Sequence, residues 1–529
     1  MYCLLYHPRP PIFSYAETHF KFSAPWSPLY KRWPEVFLDA PHQVLAGKAL
    51  TVWLLVKDAD LFPIRICAVD FQLWDTHGHH KTQNFELPAA TARCEANLQH
   101  RAFTLDRSGF EGTLRIAGRI TLEDAKGRRR TIENHNYPGV DAFPLEVELL
   151  TTSLPYPVGW HAGEMHCHTE FTSDHVEFGA PLALMQQAAE AIGLDFVLTT
   201  DHSYDIPYQR ARYLEPTDPY ANFEALQAQA HALNAAHPSQ PTLIAGEEIS
   251  CGNTRGQNIH LLAFGPAAFI PGNGDGGRRG LHNTPDLSLE EVLERLGDTP
   301  SFAAHPSGHR RKLEQWILGR GPWRSEDLNV RPGAPRVHGL QFWNGTLDRD
   351  YHDGKEMWIA ELLRGQRVLP IAGSDAHGDF NHNIYVKVPL IKLGHSRKHL
   401  FGRVRTVVPA LDRSHQALSA AFRDSRSVCT DGPFGSLSPA GGSAASFDGL
   451  LVSAHSTVDY GTLVSVQVFG GAHGARTERL VREWVFADHG PFNFEEPVAA
   501  ANLNGLSYVR LEIATTKGRR ALTSAVFRG

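Results

Sequence analysis

The chain has 529 residues, more than one hydrophobic core holds, so about two to four domains are expected. Apolar residues make up 42% and charged residues 20%, an ordinary globular balance, and the net charge of −6 leaves no broad basic field for extended nucleic acid. No stretch approaches the roughly 20 apolar residues of a membrane span, and the opening run MYCLLYHPRPPIFSY, broken by Pro8, Pro10 and Pro11, lacks the apolar core of a signal peptide.

Residues 1–45 are rich in proline and aromatics, including Trp26, Tyr30 and Trp33, and show little periodicity. Residues 46–150 read as β-structure: ALTVWLLVKD, IRICAVDFQLWD, GTLRIAGRITLED and FPLEVELL are strand-like runs separated by turn residues. DAKGRRR reads as a hairpin tip with Arg128, Arg129 and Arg130 in a solvated turn. An amino-terminal β-rich domain is therefore expected over 1–155.

From about 156 the pattern changes to strands alternating with helices. GEMHCH precedes a helix near 181–192, whose Leu184, Met185, Ala188 and Ile192 recur at helical spacing. DFVLTTDH is a strand ahead of a helix near 220–236, and TLIAGEEIS and NIHLLAFG are further strands. A glycine-rich insert at 271–280 reads as a mobile lid. Ser288 and Glu291 form a capping box ahead of the next helix. SFAAHP, GLQFWNG, a helix near 354–365 and VLPIAGSDAH follow. This rhythm predicts a parallel barrel or open α/β sheet over 156–435. An amphipathic helix at 414–425, a Gly/Ser/Pro-rich boundary and three alternating runs then predict a β-sandwich-like domain over 436–529.

The six cysteines (Cys3, Cys67, Cys94, Cys167, Cys251 and Cys429) are scattered with no CxxC pair, which suits a reducing cytoplasm and disfavours a disulfide framework. The chemistry lies in histidines and carboxylates. His166 and His168 are two apart on a strand and so point the same way. Asp174, His202, Glu248, His260 and His305 follow, and Asp375 with His377 repeats the two-residue spacing. Imidazole and carboxylate are ligands for zinc, manganese or iron. Glu248 is preferred to Glu247 as a carboxylate bridging two ions, and Glu164 is a candidate partner behind the ligands. Cys167, between two ligands, is expected to face away.

As an ordered set, HxH, Asp, TDH, GxE, an internal His, AHP and SDxH resemble the PHP (polymerase and histidinol phosphatase) superfamily. The resemblance covers roughly 156–435. ALSAAFRDSRSVCTDGPF followed by a β-domain resembles its carbaryl-hydrolase-type subgroup. The resemblance implies a distorted (β/α)7 TIM-like barrel, flanked here by the two β-rich domains, with two or three divalent ions. His166, His168, Glu248 and Asp375 would hold the first, Glu248, His260 and His305 the second, and Asp174, His202 and His377 the third. The family places its Asp five residues after the second histidine. Here it lies six after, so Asp174 and His175 remain alternatives, with Asp174 preferred.

The expected activity is metal-dependent hydrolysis of a small phosphate ester; the alternative is a carbamate, carboxylic ester or amide on the same metals. Arg255 and Arg310, with Arg311, follow ligand-bearing strands and suit a phosphate. His309, Asp201 and His382 are candidates for protonating the leaving group. Phe342, Trp343 and Trp358 are candidates for an apolar pocket, and Asn344 for a substrate contact. The expected partner is a small-molecule ester, and the β-domains are candidates for carbohydrate binding, for shading the site or for homo-oligomer contacts. No G-x-S-x-G elbow and no Walker motif is present.

Overall fold

A computed structural model describes residues 13–14, 33–88, 92–137, 139–172, 179–209, 212–274, 283–307, 319–329, 336–387, 392–423, 426–439, 449–487 and 489–528. Helices form where the apolar spacing directs them. Leu182–Ile192 buries Leu184, Met185, Ala188 and Ile192 and stops at Gly193, whose φ of 79° suits the left-handed cap that glycine adopts freely. Leu289–Leu296 starts at the Ser288–Glu291 capping box and buries Leu289, Val292, Leu293 and Leu296. Pro219–Ala236 begins with Pro219 behind an Asp218 cap, and Arg349–Leu363 behind an Asp348 cap. No helix among the described residues is long and apolar enough to cross a membrane.

The amino-terminal region is two layers of mainly antiparallel strands. Strands Glu35–Asp39, Leu50–Lys57 and Leu98–Leu105 form one, and a sheet centred on Ile64–Asp75 and Gly112–Asp124 forms the other. Alternate residues such as Leu114, Ile116, Ile120 and Leu122 meet Val36, Leu38, Val52 and Leu54 between the layers. The DAKGRRR tip joins Gly112–Asp124 to Arg129–Glu133, with Arg128 bonded to Asp124 and Arg129 to Glu123.

The expected (β/α)7 TIM-like barrel is not what forms. The chain is mostly β-sheet, with five α-helices among the described residues. Thr242–Ala245 passes into Glu247–Gly252 with no helix between, and Glu247–Gly252, Asn258–Ala263 and Ser301–Ala304 pair antiparallel in a five-stranded sheet. Antiparallel neighbours need only a short turn, whereas a parallel step needs a crossover of a dozen or more residues. The five residues between Gly252 and Asn258 supply the former. Trp160–Cys167 pairs parallel with Phe196–Thr199 but antiparallel with Arg405–Pro409. That sheet continues through Val428–Thr430 and Arg520–Thr523 into the carboxy-terminal strands, so ten strands share one hydrogen-bonded sheet.

The two sheets approach at the ligand-bearing ends. His168 N donates to Ala376 O at 2.8 Å and Asp375 N to His166 O at 2.7 Å, while Glu248 N donates to Asp201 O at 3.1 Å. Beneath them Met165, Phe196, Leu198, Phe302, Ile371 and Phe422 form one apolar cluster.

Candidate metal centre

Each described ligand candidate is delivered by a strand or the residues just past its end. His166 belongs to Trp160–Cys167 and His168 follows it. His202 lies three residues beyond Phe196–Thr199, Glu248 and His260 sit in paired strands, His305 directly follows Ser301–Ala304, and Asp375 is two past Leu369–Gly373. A side chain at Gly373 would put its Cβ 2.8 Å from His166 Cβ, so only glycine lets these strands close on the site.

Glu248 is the hub. Its Oε2 lies 3.1 Å from His166 Nε2, 3.5 Å from His168 Nε2 and 3.0 Å from His202 Nδ1. Its Oε1 lies 2.6 Å from His260 Nδ1 and 3.2 Å from His305 Nε2. Asp375 Oδ1 is 3.1 Å from both His166 Nε2 and His168 Nε2. Three sets hold mutually close donor atoms: His166, His168, Glu248 and Asp375; His202, Glu248 and His260; and His168, His202 and His377. The first set matches the expected ligand group. In the other two, His202 joins Glu248 and His260, and His168 joins His202 and His377.

The donor chemistry fits divalent cations. His168 stacks on His377 with ring centres 4.0 Å apart and lies 4.4 Å from the His202 ring, a spacing that protonated rings would resist. Burial, reinforced by His377 and His202, holds His168 well below the usual imidazole range, so it is a neutral lone-pair donor. The buried Nδ1 atoms of His168 and His202 have no hydrogen-bond partner among the described residues, although His202 Nδ1 is within 3.0 Å of Glu248. Burial alone would raise Glu248, but His166, His260 and His202 hold it well below the carboxylate range. Burial would likewise lower His166, yet Asp375 and Glu248 push it up to about 10.

The surroundings orient these ligands. Gln341 Oε1 faces His166 Nδ1 at 3.3 Å and accepts His305 N at 3.0 Å, and Asn344 Nδ2 donates to Asp375 Oδ2 at 3.2 Å. Glu164 accepts from the backbone N–H groups of Met165, His166, Ser374 and Gly402 and from the Ser374 hydroxyl, tying the first and last ligand strands together. His305 and Asp375 have φ of 28° and 56°, strained backbone for non-glycine residues, and strain of this kind collects at functional sites.

The other candidates are placed as follows. Asp174, His175, His309, Arg310 and Arg311 lie outside the described residues, as do Trp26 and Tyr30. Asp201 is fully buried and spends its carboxylate on the N–H and hydroxyl groups of Thr169 and Thr172. Arg255 is exposed on the turn after Glu247–Gly252. Glu247 turns its Oε2 to Ile270 N, away from the ligands, and Cys167 Sγ donates to Leu198 O. Phe342, Trp343 and Trp358 are core residues, at most 2% exposed. Gln341 escaped the sequence reading because nothing sets it apart within GLQFWNG.

No family profile matches the chain, and no curated protein matches it. Among solved structures it is similar to Pseudomonas fluorescens alkylpurine DNA glycosylase AlkC bound to DNA containing an abasic site analog, at 16% identity over 22% of this chain and 29% of that one, TM-score 0.14. It is also similar to Spo0M, a sporulation control protein from Bacillus subtilis, at 15% identity over 22% and 50% of the two chains, TM-score 0.14. A third is Bacteroides uniformis beta-glucuronidase, at 10% identity over 93% and 60%, TM-score 0.20. The chain thus spans less than two thirds of each, and TM-scores this low bear on neither its fold nor its activity. The barrel, the PHP domain and the phosphoesterase label expected from the motifs gain no support from these findings or from the β-rich fold. The histidine–carboxylate cluster is what stands.

Proposed function

We propose that the protein is a metal-dependent hydrolase acting on a small carboxylic ester, carbamate or amide. The observation that carries the reading is Glu248, a buried carboxylate with five imidazoles around its two oxygens. Divalent ions such as zinc, manganese or iron, if held by these residues, would supply Lewis-acid activation of water near neutral pH and would neutralise charge developing on the attacked oxygen. His166, His168, Glu248 and Asp375 would hold one ion, and His202, Glu248 and His260 another, with His377 and His305 completing the shell.

The chain's own residues prepare the site. The Gln341 contact to Nδ1 leaves Nε2 as the ligand atom of His166, and Asn344 holds Asp375 so that Oδ1 faces the imidazoles. Asp201 fixes the turn after His168 through Thr169 and Thr172 rather than serving as an acid. The carboxylic reading is preferred to the phosphate one because Arg255, the described arginine expected to hold a phosphate, is exposed on its turn.

The test is metal content of the purified protein together with hydrolysis of a nitrophenyl phosphate and of a nitrophenyl ester or carbamate. Two or three ions with ester or carbamate cleavage is the expected result. Phosphate release alone would replace the substrate class, and failure to bind manganese, zinc or iron would overturn the proposal.

A further inference from the structure

We propose that a cleft between the amino-terminal sheet and the carboxy-terminal strands is a second binding site, for a small polar molecule carrying a carboxylate or phosphate group. It shares no lining residue with the metal cluster and does not depend on the hydrolase reading.

The cleft has a volume of about 440 Å³, within the range of small-molecule sites. Distant parts of the chain wall it. Thr113 and Glu148 come from the amino-terminal sheet, and Arg403 lies two residues ahead of Arg405–Pro409. Asp431 directly follows Val428–Thr430, and Lys517 and Arg519 sit on the turn between Tyr508–Thr515 and Arg520–Thr523. Arg519 Nη2 lies 3.2 and 3.1 Å from the two carboxylate oxygens of Glu148, which ties the carboxy-terminal turn to the amino-terminal sheet.

The charge left unengaged here is positive. Glu148 is held by Arg519. Asp459, also in the wall, accepts from the N–H and hydroxyl groups of Thr151 and Thr152. Asp431 accepts Arg520 N at 2.6 Å and lies 4.0 Å from Arg519. Arg403 has no such partner: its half-buried guanidinium donates to the Arg397 carbonyl and forms no ion pair among the described residues. Burial lowers its pKa from the usual value, and Arg519 and Arg397 add to this more than Asp431 and Glu148 offset. Arg397 is itself paired with Glu146, and Arg405, 2% exposed, donates to the carbonyls of Ile192 and Gly402. Burial, and then Arg405, Arg403, Arg397 and Arg519 in turn, hold His42 well below the imidazole range, so four guanidiniums converge on this junction while the histidine stays neutral.

A carboxylate or phosphate would accept from the Arg403 fork through two parallel hydrogen bonds. Lys517, whose Nζ donates to Asp459 O at 3.1 Å, adds a second cation to the same wall. A cationic ligand would meet Arg403 and would have to displace the donors that hold the three carboxylates. An apolar ligand would cover the guanidinium without supplying an acceptor, which costs free energy. The cleft is larger than one anionic group fills, so the ligand carries a polar body as well.

The experiment is titration calorimetry of the metal-free full chain at low salt with citrate, with glycerol phosphate and with glucose as an uncharged comparison. Citrate or glycerol phosphate should bind, and Arg403→Gln should weaken that binding about tenfold or more, the loss expected when charge-assisted hydrogen bonds are removed. Arg403→Lys keeps the charge without the fork and should recover only part of the affinity. Binding of citrate alone would assign a carboxylate ligand, and binding of glycerol phosphate alone a phosphate. Binding of neither anion, or anion affinity unchanged in Arg403→Gln, would overturn the site, as would glucose binding with both anions ignored. If Arg403→Gln does not fold, Thr113→Glu, which sets a further carboxylate in the cleft at a half-buried position, decides: anion affinity equal to wild type refutes the site.

Discussion

The Nδ1 of His166 lies 3.3 Å from the Oε1 of Gln341, while the Nε2 of the same ring is 3.1 Å from Glu248. A ring nitrogen held by a hydrogen bond fixes the tautomer and leaves the opposite nitrogen free to ligate. The same amide oxygen accepts His305 N, so one side chain sets two candidate ligands. Replacing Gln341 by Leu should therefore lower metal affinity by about 10–100-fold. Titration of the metal-free variant with manganese or zinc checks this, and affinity equal to wild type would show that the amide merely fills space.

Glu248→Gln should cost more than one ion, because both carboxylate oxygens face imidazoles and an amide presents only one oxygen. The expected result is loss of at least one further equivalent of metal beyond the first and abolition of hydrolysis. Elemental analysis of the dialysed variant checks it. Full metal load at the wild-type rate would sink the bridging role.

Asp201→Ala separates an acid from a clamp. Its carboxylate accepts four hydrogen bonds from Thr169 and Thr172 in a buried setting. Removal should destabilise the fold by roughly 2–4 kcal/mol through buried donors left without partners. Thermal melting measures the loss. The residual activity should keep the wild-type pH profile; disappearance of one limb of that profile would mark Asp201 as a proton donor instead.

Asp39 makes stability depend on pH. Burial raises its pKa from 3.8 to about 7, opposed by hydrogen bonds from the backbone of Ala40 and Phe380. The folded value lies above the unfolded one, so the stabilising difference is complete below about pH 4 and is lost as pH rises toward 7. Above that the contribution is flat. Asp39→Asn should remove this slope, which amounts to roughly 4 kcal/mol across the window. Urea unfolding at a series of pH values from 4 to 8 checks it; an unchanged slope would mean that Asp39 ionises in the folded chain as it does unfolded.

Much of the site was legible locally. His166 and His168 share a face because side chains alternate along a strand, and the Ser288–Glu291 box starts its helix because those two residues satisfy each other across one turn. The predicted helices near 181–192, 220–236, 354–365 and 414–425 correspond to Leu182–Ile192, Pro219–Ala236, Arg349–Leu363 and His415–Arg423, since apolar spacing and caps act within a few residues.

What the sequence by itself determined is this inventory: which donors exist, which neighbouring pairs act together, and where helices begin. Tertiary structure alone decided that Glu247–Gly252 and Asn258–Ala263 pair antiparallel, and that ten strands share a sheet where a closed barrel was expected. It also decided that Asp201 turns to two threonines and that Gln341 reaches His166 across 175 residues. The physical reason is range. Caps and strand alternation are contacts between residues a few positions apart, whereas strand order and cavity walls follow from which apolar faces exclude water together, and that choice carries no sequence period.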